Sequence, residues 1–202
     1  MPRVSRRFVL GQSLVWAAGL GTARALKSSD GADQRGLDQF VTSPPCKDEK
    51  LTPVVAPRPA FAPDAPRRTS LVEPGAAGSR VVISGHVIGL KCGRIKGARV
   101  DFWHPDATGA YASSGKRFRG YQLTDAEGRY RLETIRPGTA MGRAPHVSVR
   151  VEPPGKPALT TVIFFPGDPA NASDTSFVPA LAMREVAGGA ARTYAFDFIL
   201  DL

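Results

Sequence analysis

The sequence is short of cysteine, of histidine, of long apolar runs and of basic clusters, and each shortage excludes something. Only Cys46 and Cys92 occur among 202 residues. Two cysteines so far apart are not a zinc signature. In an oxidising compartment they are expected to pair instead, closing a long loop worth roughly 4 kcal/mol on a chain-entropy argument. The histidines are His86, His104 and His146, and no two lie close together in the sequence. No apolar run reaches the ~20 residues that a membrane span needs. Basic residues exceed acidic ones, 27 to 18. They form no run and do not interleave with aromatics, so no nucleic-acid partner is expected.

The longest apolar stretch lies at the start. Paired Arg6 and Arg7 precede a run from Phe8 to about Leu20, which closes on Ala23-Arg24-Ala25. A charged start, a short apolar middle and a small-x-small end are the parts of an export signal, here of the twin-arginine type. Residues 1–25 are therefore expected to be removed, leaving a periplasmic or secreted protein with no membrane partner. Without Arg3, Arg6, Arg7 and Arg24 the net charge falls from +9 to +5. Residues 26–79 follow as a proline-rich arm, as in "SPPCKDEKLTPVVAPRPAFAPDAPRR". Such a stretch can neither continue a helix nor donate regularly to a ladder.

From residue 80 to residue 202 the texture is one of short alternating runs between turns. "RVVISGHVIGL", "ARVDFWH", "FRGYQLT", "RYRLETI", "PHVSVRV", "LTTVIFF" and "RTYAFDFIL" read as strands, the last with Phe196, Phe198 and Leu200 on one face. "PALAMREVA" reads as one short helix. Strands at this spacing with no long helical pattern predict an all-β fold, an antiparallel β-sandwich with a proline-rich N-terminal arm. In "HVSVRV" the valines alternate with His146, Ser148 and Arg150, the pattern of a half-buried strand. His146 and Ser148 then project from one face, about 7 Å apart. A metal site on this strand would use two ligands at that spacing. The strand offers one histidine and a hydroxyl.

The run "GHVIGLKCGRIKGARVDFWHPDATGAYASSGKRFRGYQLTDAEGRYRLETIRPG", with "GRAPHVSVRV" and "VIFFPGD" after it, resembles the intradiol ring-cleavage dioxygenases, the catechol and protocatechuate dioxygenase family. The resemblance covers about residues 80–170. It implies descent from enzymes that hold Fe(III) with two tyrosinates and two histidines and insert O₂ into catechol-type rings. Hard phenolate donors suit that ion. Tyr111 and His146 fall on two of the four ligand positions, and Arg143 on the arginine that faces the substrate ring. Ala140 and Ser148 occupy the other two ligand positions, and Val162 that of a glutamine near the metal. With two ligands of four, the resemblance implies a protein without ring-cleaving activity or with altered activity: a non-catalytic subunit in a homo- or hetero-oligomer with catalytic relatives, or a binder of catechol-type aromatics. A working dioxygenase with a non-standard iron site is the first alternative. A carbohydrate- or protein-binding β-sandwich is the second. Residue by residue there are plainer readings: Tyr111 capping the sandwich, His146 as a hydrogen-bonded polar residue, Arg143 paired with a nearby acid.

Overall fold

The computed structural model describes residues 50–91, 93–113, 116–187 and 191–202. The expected export signal, Cys46, Cys92 and the expected disulfide lie outside the described residues. Two sheets face each other. One contains β1 (Arg80–Gly89), β4 (Arg129–Ile135), β7 (Arg184–Val186), β8 (Arg192–Ala195) and β9 (Phe198–Leu200), with β4-β1-β8-β7 as neighbours and β9 also on β1. The other has the order β3-β2-β5-β6, from β3 (Arg119–Leu123), β2 (Arg99–Trp103), β5 (His146–Glu152) and β6 (Leu159–Phe164). The all-β sandwich is as the alternation predicts. Pairing is antiparallel except where β8 and β9 run parallel to β1.

Alternation selects the core. Val81, Ile83 and Val87 of β1 join Val100 and Phe102 of β2, Leu132 of β4, and Val147, Val149 and Val151 of β5, all buried. Strands with β-branched and aromatic residues every second position bury one face in this way.

The last strand of the sequence is not continuous. It breaks after Ala195 and resumes at Phe198, and both pieces pair with β1. The break is built around Gly85. A Cβ there would lie 1.7 Å from the Phe196 carbonyl oxygen, so only glycine admits that crossing. The Asp197 carboxylate then accepts a hydrogen bond from the His86 backbone N–H at 2.8 Å. Phe196, Phe198 and Leu200 remain in the core.

The helix expected in "PALAMREVA" is a correction. Pro179–Leu181 form one 3-10 turn and Arg184–Val186 form β7. Ala182 bridges to Phe164, and β7 pairs with β8. Pairing with existing strands overrides a weak helical preference over so few residues.

The proline-rich segment runs along both sheets from its first described residues. Its prolines donate nothing from the backbone but leave carbonyls free to accept. Pro53 O accepts from Thr161 Oγ1, Pro59 O from Trp103 Nε1 and Pro66 O from the Tyr121 N–H. Farther on, Thr69 O accepts from Glu133 N, and Leu71 N donates to Glu133 O. These contacts cover the open edges of β3 and β4, where unpaired backbone would invite intermolecular pairing. Leu71 is fully buried in the core.

Candidate functional site at the head of β5

Tyr111 ends a loop folded around Asp106. One carboxylate oxygen, Asp106 Oδ1, accepts from Thr108 N at 2.9 Å, Thr108 Oγ1 at 2.7 Å and Ala110 N at 3.0 Å. These bonds, the Thr108 hydroxyl first, hold the Asp106 carboxyl below its usual pKa. At Gly109 φ is +90°, and a Cβ would lie 1.8 Å from Thr139 O. The glycine thus lets the Tyr111 loop close onto the Pro137-Gly138-Thr139 turn, where Gly138 N also donates to Asp106 O.

That turn leads into a two-residue hairpin. Ala140 and Arg143 exchange backbone hydrogen bonds at 3.2 and 2.8 Å, around Met141 at φ +51° and Gly142 at φ +73°. Positive φ at both central positions marks the type I′ turn, which favours asparagine and glycine. Ala140 is buried at its base, whereas Met141 stands 69% exposed at its tip.

His146 opens β5. Its Nδ1 lies 2.7 Å from the Ala144 carbonyl. A carbonyl only accepts, so Nδ1 carries the proton and Nε2 carries the lone pair. Nε2 lies 3.4 Å from the Tyr111 hydroxyl. Burial lowers the imidazole pKa, outweighing the Ala144 carbonyl, and Arg143 lowers it further. Burial raises the Tyr111 phenol, with Ser148, Arg143 and Arg119 pulling the other way. Ser148 is close enough to favour the phenolate, and its buried hydroxyl has no hydrogen-bond partner of ordinary geometry among the described residues. In register it stands between Trp103 and Val162.

The strand is more buried than its alternation predicts, since His146 and Ser148 are as covered as the valines. Their face lies under the Tyr111 loop and the arm. Phe61 of the arm packs on Trp103, with ring centroids 5.8 Å apart, and lies 4.7 Å under the Arg150 guanidinium.

Arg143 pairs with an acid. Its Nε donates to both oxygens of Asp174, at 3.1 and 3.0 Å. Asp174 also accepts from Ala144 N at 3.0 Å and Ser176 N at 2.8 Å. Burial would raise the Asp174 pKa, but these donors outweigh it and the net shift is downward. Neither terminal nitrogen of the Arg143 guanidinium has a partner among the described residues, and Nη2 is buried. His104 is engaged at both ring nitrogens, with Pro105 O at 2.7 Å and Thr134 Oγ1 at 2.6 Å, and burial lowers its pKa to about 4.

Tyr111, His146, Ser148 and Arg143 therefore lie close together. Asp174 was not foreseen: it follows an unremarkable turn, "GDPANASD", and no local motif marks it. Beside this cluster a cavity of about 480 Å³ opens between Arg143, Asp174, Met141 and the arm residues Val55 and Arg58. A smaller one of about 230 Å³ lies outside Tyr111 against Arg117 and Phe118.

A family model described as Dioxygenase matches residues 56–202. The protocatechuate 3,4-dioxygenase beta chain of Burkholderia cepacia is 29% identical over 153 residues, which are 61% of this chain and 65% of that one. The alpha chain from the same organism is 30% identical over 148 residues, 63% of this chain and 75% of that one. The chain thus spans just under two thirds of the beta chain it matches. Among solved structures, the dioxygenase domain of a dioxygenase–carbohydrate-binding fusion from Streptomyces sp. SirexAA-E is 44% identical with a TM-score of 0.72, covering 76% of this chain and 99% of that one. An intradiol ring-cleavage dioxygenase from Tetranychus urticae shares the fold at 23% identity and a TM-score of 0.68, covering 75% and 94%. With the family match running over most of its length, the chain belongs to the intradiol ring-cleavage dioxygenase family.

Proposed function

We propose that this chain is an exported family member whose ferric centre is incomplete, so that it binds catechol-type aromatics or partners a catalytic relative rather than cleaving rings itself. The observation that carries this reading is the donor set. Tyr111 and His146 offer one phenol oxygen and one imidazole nitrogen 3.4 Å apart, with the His146 lone pair turned toward the phenol. Bound Fe(III) would supply the site with a centre for catecholate and O₂. Non-haem iron usually takes three or more protein ligands, and here position 140 contributes a methyl group and position 148 a neutral hydroxyl. His104 is held at both ring nitrogens. Among the described residues no three His, Cys, Asp or Glu side chains gather in a metal-binding group. The residues present do not fit a four-ligand ferric centre. The relatives named as alpha and beta chains support assembly with a second chain.

The test is iron content with a visible spectrum, on protein purified from its own compartment. The expected protein is colourless and iron-free. The double variant Ala140→Tyr with Ser148→His is expected to take up Fe(III) and gain a tyrosinate-to-iron charge-transfer band. Stoichiometric iron in the unaltered protein would overturn the reading and favour a working dioxygenase with a non-standard site.

A further inference from the structure

The hairpin before β5 carries two features that the metal positions do not explain. The first is Met141. A two-residue type I′ turn favours asparagine and glycine, because both central residues take positive φ. Here the first central residue is a methionine at φ +51°, exposed, with its side chain on the rim of the larger cavity. A residue other than glycine in the left-handed region is uncommon and costs conformational energy. At this exposed tip no burial of the side chain offsets that cost.

The second is Arg143, across Gly142 from Met141 and lining the same cavity. Asp174 takes only its Nε, and the guanidinium carbon lies 5.8 Å from the centre of the Phe164 ring. Both terminal nitrogens lack a partner among the described residues, and Nη2 is buried. Unpaired N–H groups out of bulk water are costly, so this end of the hairpin is short of an acceptor. A thioether is a weak one. Its sulfoxide is polar and neutral, and its oxygen is a far better acceptor.

We propose that Met141 is a peroxide-sensitive latch: its sulfoxide oxygen accepts from the unpartnered N–H groups of Arg143 and closes the mouth of the cavity beside the site. In the step, a sulfur lone pair attacks one oxygen of hydrogen peroxide. The O–O bond breaks as the S–O bond forms, and the second oxygen leaves as water after proton transfer. Sulfur loses two electrons and the peroxide gains them. No charge is added, so the Arg143–Asp174 pair is kept. Sulfoxide reductases return the thioether, which makes the latch reversible. The other described methionine, Met183, is 2% exposed in the core and so is shielded from the oxidant. The source of peroxide rests on the reading above, because a catechol oxidised to a quinone by O₂ yields hydrogen peroxide. The latch itself needs only the oxidant.

The experiment treats the full mature protein with graded hydrogen peroxide, locates the added oxygen by peptide mass mapping and follows backbone amide exchange across residues 140–146. Oxygen is expected on Met141, with Met183 unmodified. Exchange across 140–146 should slow about fivefold in the oxidised protein, the effect of one net hydrogen bond on local opening. Met141→Leu keeps the bulk without the sulfur and should show no response to peroxide. Met141→Gln carries an amide oxygen at a similar reach and should exchange slowly without peroxide. A sulfoxide at Met141 with exchange unchanged or faster would overturn the latch, since that is how an exposed methionine oxidised without consequence behaves. Slowing by peroxide that persists in Met141→Leu, or oxidation of Met183 before Met141, would overturn it too. None of these outcomes depends on iron content, so failure of the latch and failure of the iron-free reading are seen separately.

Discussion

At the scale of single residues, the site is held by buried polar groups whose protonation states are fixed by what surrounds them. Asp174 is the clearest case, with a side chain 1% exposed against an Arg143 side chain 11% exposed. Removing one partner of such a pair leaves the other charge buried and unpaired. Asp174→Ala is expected to cost about 3 kcal/mol, read as a lowered midpoint in urea unfolding. The same carboxyl has a folded pKa below its unfolded one. Its contribution is therefore complete above the unfolded pKa of about 4 and is lost as pH falls through the folded value. His104 acts at a higher pH. Its folded pKa, about 4, lies below the ordinary 6.5 because burial disfavours the cation. The unfolded chain takes up a proton first, so stability falls as pH drops from about 6.5 toward 4. His104→Asn should flatten that part of a Tm-against-pH curve while leaving the steeper loss at lower pH. An unchanged slope between pH 6.5 and 4 would show that His104 does not carry it.

At the scale of elements, alternation made most strands legible. Val81, Ile83 and Val87, or Val147, Val149 and Val151, can be read as inward-facing before any pairing is known. The nearness of Tyr111, Arg143 and His146 was legible only through the family resemblance. The burial of His146 and Ser148 was not, because the cover comes from Phe61 and the Tyr111 loop, distant in sequence. Nor was the Arg143–Asp174 pair, since an acid in a turn has no periodicity to betray it. The break between β8 and β9 was also hidden. Its cause is a close approach of two backbones at Gly85, and a lone glycine in a strand pattern marks such approaches only generally. Gly85→Ala puts a methyl 1.7 Å from Phe196 O and 2.6 Å from its carbon, both backbone atoms that cannot step aside. The expected cost is about 3 kcal/mol, through overpacking that separates β1 from the crossing. A thermal midpoint within a degree of the unaltered protein would mean that the crossing can move.

At the scale of the whole molecule, the arm decides whether the sandwich is one cooperative unit. The two sheets meet through core side chains, but β3 and β4 end them with edges that the strands leave open. Arg68 N donates to Tyr121 O on β3, and three residues later Leu71 N donates to Glu133 O on β4. A single extended segment thus joins the edge of one sheet to the edge of the other and inserts Leu71 between them. Farther back, Thr52 N donates to Ile199 O, and the Thr52 hydroxyl oxygen accepts from Ile199 N at 2.8 Å. Deleting residues 26–79 therefore removes two edge pairings, a core side chain of the kind whose loss costs about 2–5 kcal/mol, and an anchor on β9. Domains of this size are stable by only about 5–15 kcal/mol. The truncated chain, beginning at Arg80, is expected to lose the sharp unfolding transition and to bind a hydrophobic dye, with its exposed edges promoting association. The measurement is thermal unfolding followed by near- and far-ultraviolet circular dichroism together. Coincident, sharp transitions in the truncated chain would mean that the strands alone make the fold and that the arm serves only the cavity it lines.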